Sequence, residues 1–243
     1  MASCLTRTLG SCSRAVGVVG NAAGKLDKGL GFLGEVNNVV SSSLKLVSIH
    51  TPQDSDRQYG LANGISTCAD ISGALTMGRV GAKCTRLLSG QMIFQINDDG
   101  SFVRDKKTGS LVTHPILAIA SDVFSLASKT LDLAGYGNAR RLWNLGKHTQ
   151  TIGLASAVAN MTSSSLSIMQ GAIDLRDVIQ NRSPVKSSKV RSLVLGMIRD
   201  GLDILETPLG SGMVNAGPHG LTVGCVISLL GSVFGVVNNI LND

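Results

Sequence analysis

The chain has 243 residues and a formal net charge of +6, with 43% hydrophobic, 16% charged and only 3% aromatic residues. So little charge, with a mean hydropathy of +0.24, excludes a disordered chain, which needs the opposite balance. The aromatic scarcity removes the stacking platforms of single-strand binders. No zinc-finger, RNP or basic-zipper pattern occurs, so nucleic acid is not an expected partner.

The length fits one large domain. Twenty-nine glycines and few aromatics allow helices to approach backbone to backbone, as membrane helices do. The five cysteines (Cys4, Cys12, Cys68, Cys84, Cys225) are odd in number, scattered and without a C-x-x-C pair. They read as reduced thiols, and neither metal nor cofactor is expected. Residues 1–13 lack the apolar core of a cleaved signal; their Ser/Thr-rich composition suits an uncleaved leader for a needle-type (type III) secretion machine. Residues 14–243 then read as a single helical domain.

The first helical pattern runs from about 14 to 49. Leu26, Leu30, Leu33, Val36, Val40, Leu44 and Val47 form one stripe, and Lys25, Asp27, Lys28, Glu35 and Lys45 fall mostly off it. His50–Asp56 breaks the helix at Pro52. A second pattern covers 57 to 88, with Leu61, Ile65, Cys68, Ile71 and Leu75 on one face. Gly and Ala crowd it, and each interior Gly costs up to ~1 kcal/mol relative to Ala, which points to close helix contact. The insertion 91–111 departs from the helical spacing. Met92, Phe94 and Ile96 alternate, Asn97-Asp98-Asp99-Gly100 is a tight-turn sequence, and Phe102 and Val103 start a return. This predicts one short β-hairpin; the EF-hand spacing and its closing Glu are absent.

A third helix is expected over 115–134, ending at the turn "AGYGNARR", and a fourth over 138–180, uncharged from Thr149 to Ile173. "NRSPVKSSK" is a linker. A fifth helix over 190–205 carries basic residues at its start and acidic ones at its end, opposing the helix dipole, so these charges need partners outside it. Thr207–Pro218 reads as a connection into the last helix, 217–241, "GPHGLTVGCVISLLGSVFGVVNNILND" to the end of the sequence. From Gly220 to Leu241 it holds 22 residues without charge, long enough to span a bilayer. Gly220, Gly224, Ser228, Gly231 and Gly235 form small-x-x-x-small steps suited to helix association and to a homo-oligomer. Two surroundings suit such a helix: lipid, which the uniform apolarity favours, or the centre of a soluble bundle.

Gly29-Leu30-Gly31-Phe32-Leu33-Gly34 matches G-x-G-x-x-G but lacks the preceding strand and the acidic residue about twenty positions on. His50, His114, His148 and His219 lie far apart with no nucleophile motif beside them, so no catalytic residue is assigned and an enzyme is not expected. Two N-x-S/T sequons, at Asn160 and Asn181, read as chance without a secretory signal. Arg140, Arg141, Lys147 and the only Trp, Trp143, precede the uncharged fourth helix. They read either as an interfacial anchor or as a solvated basic face with Trp143 packed inward. Lys186, Lys189 and Arg191 add a second basic group suited to acidic headgroups.

The start "MASCLTRTLGS", the segment "RQYGLANGISTCADISGALTMGRVGAKCTRLLSG" and the C-terminal order of pieces resemble the chlamydial class I accessible, inclusion-membrane protein family. The C-terminal half is also similar to the peroxin-eleven family of peroxisomal membrane-elongation proteins. An "R-(N/D)-x-x-D-(I/L/F)" helix matches Arg199, Asp200, Asp203 and Ile204; a Pro-Leu turn matches Pro208 and Leu209. A Gly-rich helix follows at Gly217, Pro218, Gly220, Leu221, Gly224, Leu229 and Ser232. "ARRLWNLGKHTQTIGLASAV" resembles that family's Arg/Trp segment, whereas the insertion around Asp98–Gly100 is foreign to it. These resemblances imply a secreted, membrane-acting antigen or effector of a bacterial pathogen, placed on the host-cell inclusion membrane, and transfer no catalytic residue. The expected fold is all-α, a bundle of five or six small-residue-rich amphipathic helices with one short β-hairpin. The expected role is to associate with and shape membranes, with membrane lipid as partner. The alternative is a soluble helical adaptor that binds a host protein.

Overall fold

A computed structural model describes residues 2–52, 56–97, 99–180, 187–214 and 217–242; Asp98, Lys186 and the Asn181 sequon lie outside them. Six α-helices follow in order: α1 (Ala2–Ile49), α2 (Asp56–Leu88), α3 (Ile116–Ala139), α4 (Thr149–Gln180), α5 (Ser187–Gly210) and α6 (Gly220–Asn242). The all-α expectation holds. Each helix packs antiparallel on its chain neighbours, and α6 returns to α1, so the six close into a ring.

Small residues set most of the seams. Between α1 and α2, Leu30 lies over Gly78 and Leu44 over Gly64, and the Asn37 amide donates to the Cys68 carbonyl at 2.9 Å. Between α2 and α3 the Tyr136 ring lies on Gly73 and its hydroxyl donates to Asp70 at 3.1 Å. Serines join α3 to α4, Ser121 to Ser163 and Ser128 to Ser156. Met197 covers Gly171 between α4 and α5, and Leu202 covers Gly231 between α5 and α6. The ring closes where Ser42 of α1 donates to Ser228 of α6 at 3.1 Å. These short side chains explain the glycine load of α2 and α6: each bare Cα lets a neighbour approach that a Cβ would push back.

Polarity is reversed relative to an ordinary bundle. Most of the α1 stripe faces outward: Leu26, Leu33, Val36, Val40 and Val47 are exposed, only Leu30 and Leu44 pack on α2, and Asp27, Glu35, Asn37 and Ser42 are buried. Asp27 is the hub of one buried cluster, 3.1 Å from Arg79 and 3.6 Å from both Lys83 and Arg86. Asp122 of α3 meets Lys83 at 3.2 Å and Arg86 at 3.3 Å. The α1–α2–α3 wall is thus tied by charge where a soluble bundle would use apolar contact.

The expected two-stranded hairpin in 91–111 is not formed. Three short runs meet there through isolated antiparallel bridges, Phe94 with Thr113, Ile96 with Phe102 and Arg104 with Leu111. The Gln95 N–H donates to Val112, the Val112 N–H to Val103 and the Val103 N–H to Gln95, each at 2.9 Å. Three runs bonded in a cycle leave no pair free to extend a ladder. Phe94 and Phe102 pack edge to face with centroids 6.0 Å apart, and Met92 is almost fully buried. The knot sits on the early part of α1: Asn21 donates to the Asn97 carbonyl at 3.1 Å. In its exposed turn, the Lys107 and Thr108 N–H groups donate to Asp105 and hold its carboxyl below the usual range.

Several boundaries also shift. Helix α1 starts at Ala2 and carries the backbone of the leader-like segment with it. Helix α3 continues through "AGYGN" to Ala139 and α4 begins only at Thr149. The α3 end is a Schellman closure: the Leu142 N–H reaches the Gly137 carbonyl at 2.8 Å and the Arg141 N–H reaches Asn138 at 3.1 Å, with Arg141 at φ 59°. Tyr136 and Trp143, packed on Gly73 and Gly137, reward helix where the local Gly pair favours a turn. Helix α5 passes through Pro208 to Gly210; Pro208 has no N–H for the Ile204 carbonyl, so one intrahelical bond is missing close to the end of the helix.

Asp27→Ala should lower unfolding free energy by about 1–2 kcal/mol, between a surface and a fully buried pair, because half-buried Arg79 loses its counter-charge while Lys83 and Arg86 keep Asp122. Chemical denaturation of the full chain measures this. A loss below about 0.5 kcal/mol, the size of a surface pair, would show that the cluster contributes nothing to the wall.

Candidate functional site

The ring encloses a polar lumen of about 750 Å³ lined by all six helices. Glu35 and Asn38 come from α1, Arg79 from α2, and Asp122, Lys129 and Asp132 from α3. Ser156, Ser163, Ser164 and Ser167 come from α4, and Ser232 from α6. Helix α5 contributes most of the charge. Arg199, Asp200, Asp203 and Glu206 recur at threes and fours, which puts all of them on the inner face. Of the dipole-opposing charges of α5, Arg199 finds Glu35 of α1, and Asp200 and Glu206 take hydrogen bonds from Ser167 and Ser228.

The Arg199 guanidinium reaches Glu35 at 2.6 Å. Burial pulls its pKa down, but Glu35, Asp203 and Asp200 together outweigh that and hold it above the ordinary arginine value. Its Nε is buried with no hydrogen-bond partner. Burial pushes the Asp200 carboxyl up, against a Ser167 hydrogen bond and Arg199. Burial also raises Glu206, against a Ser228 hydrogen bond and Lys45. Asp203 is driven furthest, to about 7, by burial, with Arg199 opposing and Glu35, Asp200 and Glu206 adding to the rise. On the opposite wall Lys129 pairs with Asp132 at 3.6 Å, and Asp132 takes a hydrogen bond from Ser156.

The outer surface is the second feature. Within Gly220–Leu241 only Gly231, Ser232 and Gly235 are buried. Leu221, Val223, Val226, Leu230, Val233, Val237 and Ile240 face outward, next to Val194, Ile198 and Leu205 of α5 and the exposed stripe of α1. Exposed apolar residues thus recur along all three adjacent helices, more densely than the scattered ones of an ordinary surface, and others stand on α2, α3 and α4, among them Ile71, Phe124 and Ile173.

The small residues expected to associate helices do so within the chain. Gly235 lies against Glu35, Gly231 against Leu202 and Asp203, and Gly224 against Leu209; Ser228 bonds Ser42, and Gly220 lines a crevice of about 610 Å³ between α5 and α6.

The basic residues fall into two separate groups. Arg140, Arg141, Trp143 and Lys147 lie at the α3–α4 connection, across the ring from α6. Arg140 is engaged, 2.5 Å from Asp70, and its guanidinium also donates to Ser66. Trp143 folds back on Gly137 and donates to the Ala134 carbonyl at 2.8 Å, yet stays 44% exposed, between the two expected readings. Lys189 and Arg191 are exposed at the start of α5, beside the apolar face. Among the described residues no group of three His, Cys, Asp or Glu converges to hold a metal.

No protein-family model, curated protein or solved structure significantly matches this chain.

The pKa of Asp203 makes a pH test. A carboxyl raised from 3.8 to about 7 in the fold keeps its proton where an unfolded one has lost it. Its contribution to stability is therefore present at low pH and is lost as pH rises through that window. Asp203→Asn should flatten the stability profile between about pH 4 and 7 and melt higher than wild type at pH 8. An unchanged profile would mean that Asp203 is not buried in the lumen wall.

Proposed function

We propose that this is a non-enzymatic membrane-associated protein that lies along a lipid surface on its α5–α6–α1 face. The observation that carries this reading is α6 itself, a helix of span length whose apolar side chains point away from the protein. The core helix of a soluble bundle would be enclosed on all sides. Helix α6 instead directs Gly231, Ser232 and Gly235 inward and its valines and leucines outward. Lipid suits the face because it accepts apolar side chains along the length of three helices, while exposed Lys189 and Arg191 on α5 and Lys25 and Lys28 on α1 meet acidic headgroups at ~1 kcal/mol each. Because α6 is bonded along its length to α1 and α5, the intact ring rests on the surface and α6 stays within it.

The resemblance to inclusion-membrane proteins supplies the setting: a type III-secreted protein whose amphipathic face binds and shapes host-facing membrane. That setting is part of the proposal and rests on the N-terminal, second-helix and C-terminal stretches that carry the resemblance.

Vesicle flotation tests the reading. The full chain should float with vesicles containing phosphatidylserine. Val226→Glu with Leu230→Glu and Val233→Glu should reduce the bound fraction about tenfold or more, given ~2–3 kcal/mol for each charge placed in the apolar layer. Lys189→Glu with Arg191→Glu should weaken binding and its salt dependence, while Arg140→Glu with Arg141→Glu, on the far side of the ring, should leave it unchanged. A monodisperse chain that never floats would overturn the reading and favour a host-protein partner for the same face.

A further inference from the structure

We propose that the crevice between α5 and α6 holds one phospholipid with an ethanolamine-type head, its phosphate on Lys45, its ammonium on Glu206 and an acyl chain along the start of α6. The inference rests on the membrane reading for the source of the lipid, which is drawn from the surface that the α5–α6–α1 face lies on.

Shape is the first ground. The crevice measures about 610 Å³, inside the ~300–1,000 Å³ of ordinary ligand pockets. It is also amphipathic along its length. Ser42 and Lys45 of α1, Glu206 of α5 and Ser228 of α6 make one end. Leu209 and Val214, later in the chain than Glu206, and Gly217, Gly220, Leu221 and Gly224, earlier than Ser228, make the other. Ser228 and Gly220 stand eight residues apart on one helix, so the two ends are separated by ~12 Å. A solute that is polar throughout would leave the apolar end unused, and a hydrocarbon would leave the charged end unused. An amphiphile uses both.

Charge at the polar end is the second. Lys45 and Glu206 line the same crevice and act on each other electrostatically, yet they stand too far apart for a salt bridge. Lys45 is exposed and reachable. Glu206 is held from one side by a hydroxyl chain, in which Ser42 donates to Ser228 at 3.1 Å and Ser228 bonds the carboxyl. A cation and a carboxyl set apart in this way match a head group that carries both signs. An anionic head would satisfy Lys45 and meet Glu206 with like charge; a cationic head would do the reverse. A phosphate followed by an ammonium answers both.

The third ground is where the apolar end leads. Val214 is 53% and Leu221 77% exposed, so the crevice passes out between apolar side chains that already stand on the surface. Leu221 begins the outward row of α6 that continues through Val223, Val226 and Leu230. An acyl chain leaving the crevice therefore meets the face assigned to lipid, while its head stays within the protein.

Cys225 lines the crevice and is partly accessible, whereas Cys84 is exposed on α2, so the two thiols give a reporter and a control. The full chain is alkylated with N-ethylmaleimide in the presence of dihexanoyl phosphatidylethanolamine below its micelle concentration, and each cysteine is followed by peptide mass spectrometry. Saturable slowing at Cys225 is expected, with Cys84 unchanged. Dihexanoyl phosphatidylglycerol, which lacks the ammonium, and glycerophosphoethanolamine, which lacks the chains, should each bind about tenfold more weakly or worse. Lys45→Ala should weaken the protection about tenfold, and Glu206→Gln should remove the preference for the ethanolamine head. No saturable slowing at Cys225 would overturn the proposal, as would equal protection by the glycerol head or the chainless head, or a Lys45→Ala chain protected like wild type. No bilayer is present in this assay. A chain that floats with vesicles but shows no protection therefore overturns the crevice site alone, and failure to float overturns the membrane reading whatever happens at Cys225.

Discussion

The ring depends on one junction. Glu35 of α1 crosses in front of Gly235 of α6 and meets Arg199 of α5 at 2.6 Å. It can do so only because Gly235 is bare: a Cβ there would sit 2.8 Å from the Glu35 carboxyl carbon. Three helices meet here, two of them at the ends of the folded order, and with the Ser42–Ser228 bond further along the α1–α6 seam this junction turns a row of antiparallel helices into a closed ring. The Glu35 carboxylate is the more deeply buried partner of the pair, and it would be expensive to leave alone.

Closure through ion pairs and serines has a consequence for the rest of the molecule. Each helix must turn its polar face inward, so its apolar residues have nowhere to go but out. This is why Asp27, Glu35, Asn37 and Lys83 are buried while Leu33, Val40, Leu230 and Val233 are exposed. A protein built in this way has two distinct surfaces: an outer one rich in apolar side chains and an inner one lined by charged and hydroxyl groups. The membrane reading uses the first.

Much of the fold was legible in the residues. Spacing at threes and fours located every helix, and the glycines of α2 and α6 announced close packing before any partner was known. Legibility failed where distant contacts outweighed local chemistry. The Gly-rich stretch 134–138 stayed helical because Tyr136 and Trp143 found bare glycines to rest on. The expected hairpin became a three-run knot because a third run, 110–114, supplied the bonds that a second strand would have taken. Of the candidate site, the apolar tail was plain. The lumen was not: Arg199, Asp200, Asp203 and Glu206 were visible only as charges opposing their helix dipole, and nothing in their spacing named Glu35, far back in the chain, as the partner.

The sequence by itself determined the all-helical class, the uncharged final helix and the small-residue notches along it, because these follow from local periodicity and side-chain size. Only the tertiary structure decided which way each stripe points. An amphipathic helix has two faces, and periodicity says that they differ without saying which is inside. That choice was made by ion pairs and serine contacts between residues as far apart in sequence as 42 and 228, which place the polar faces together and leave the apolar ones to the surroundings.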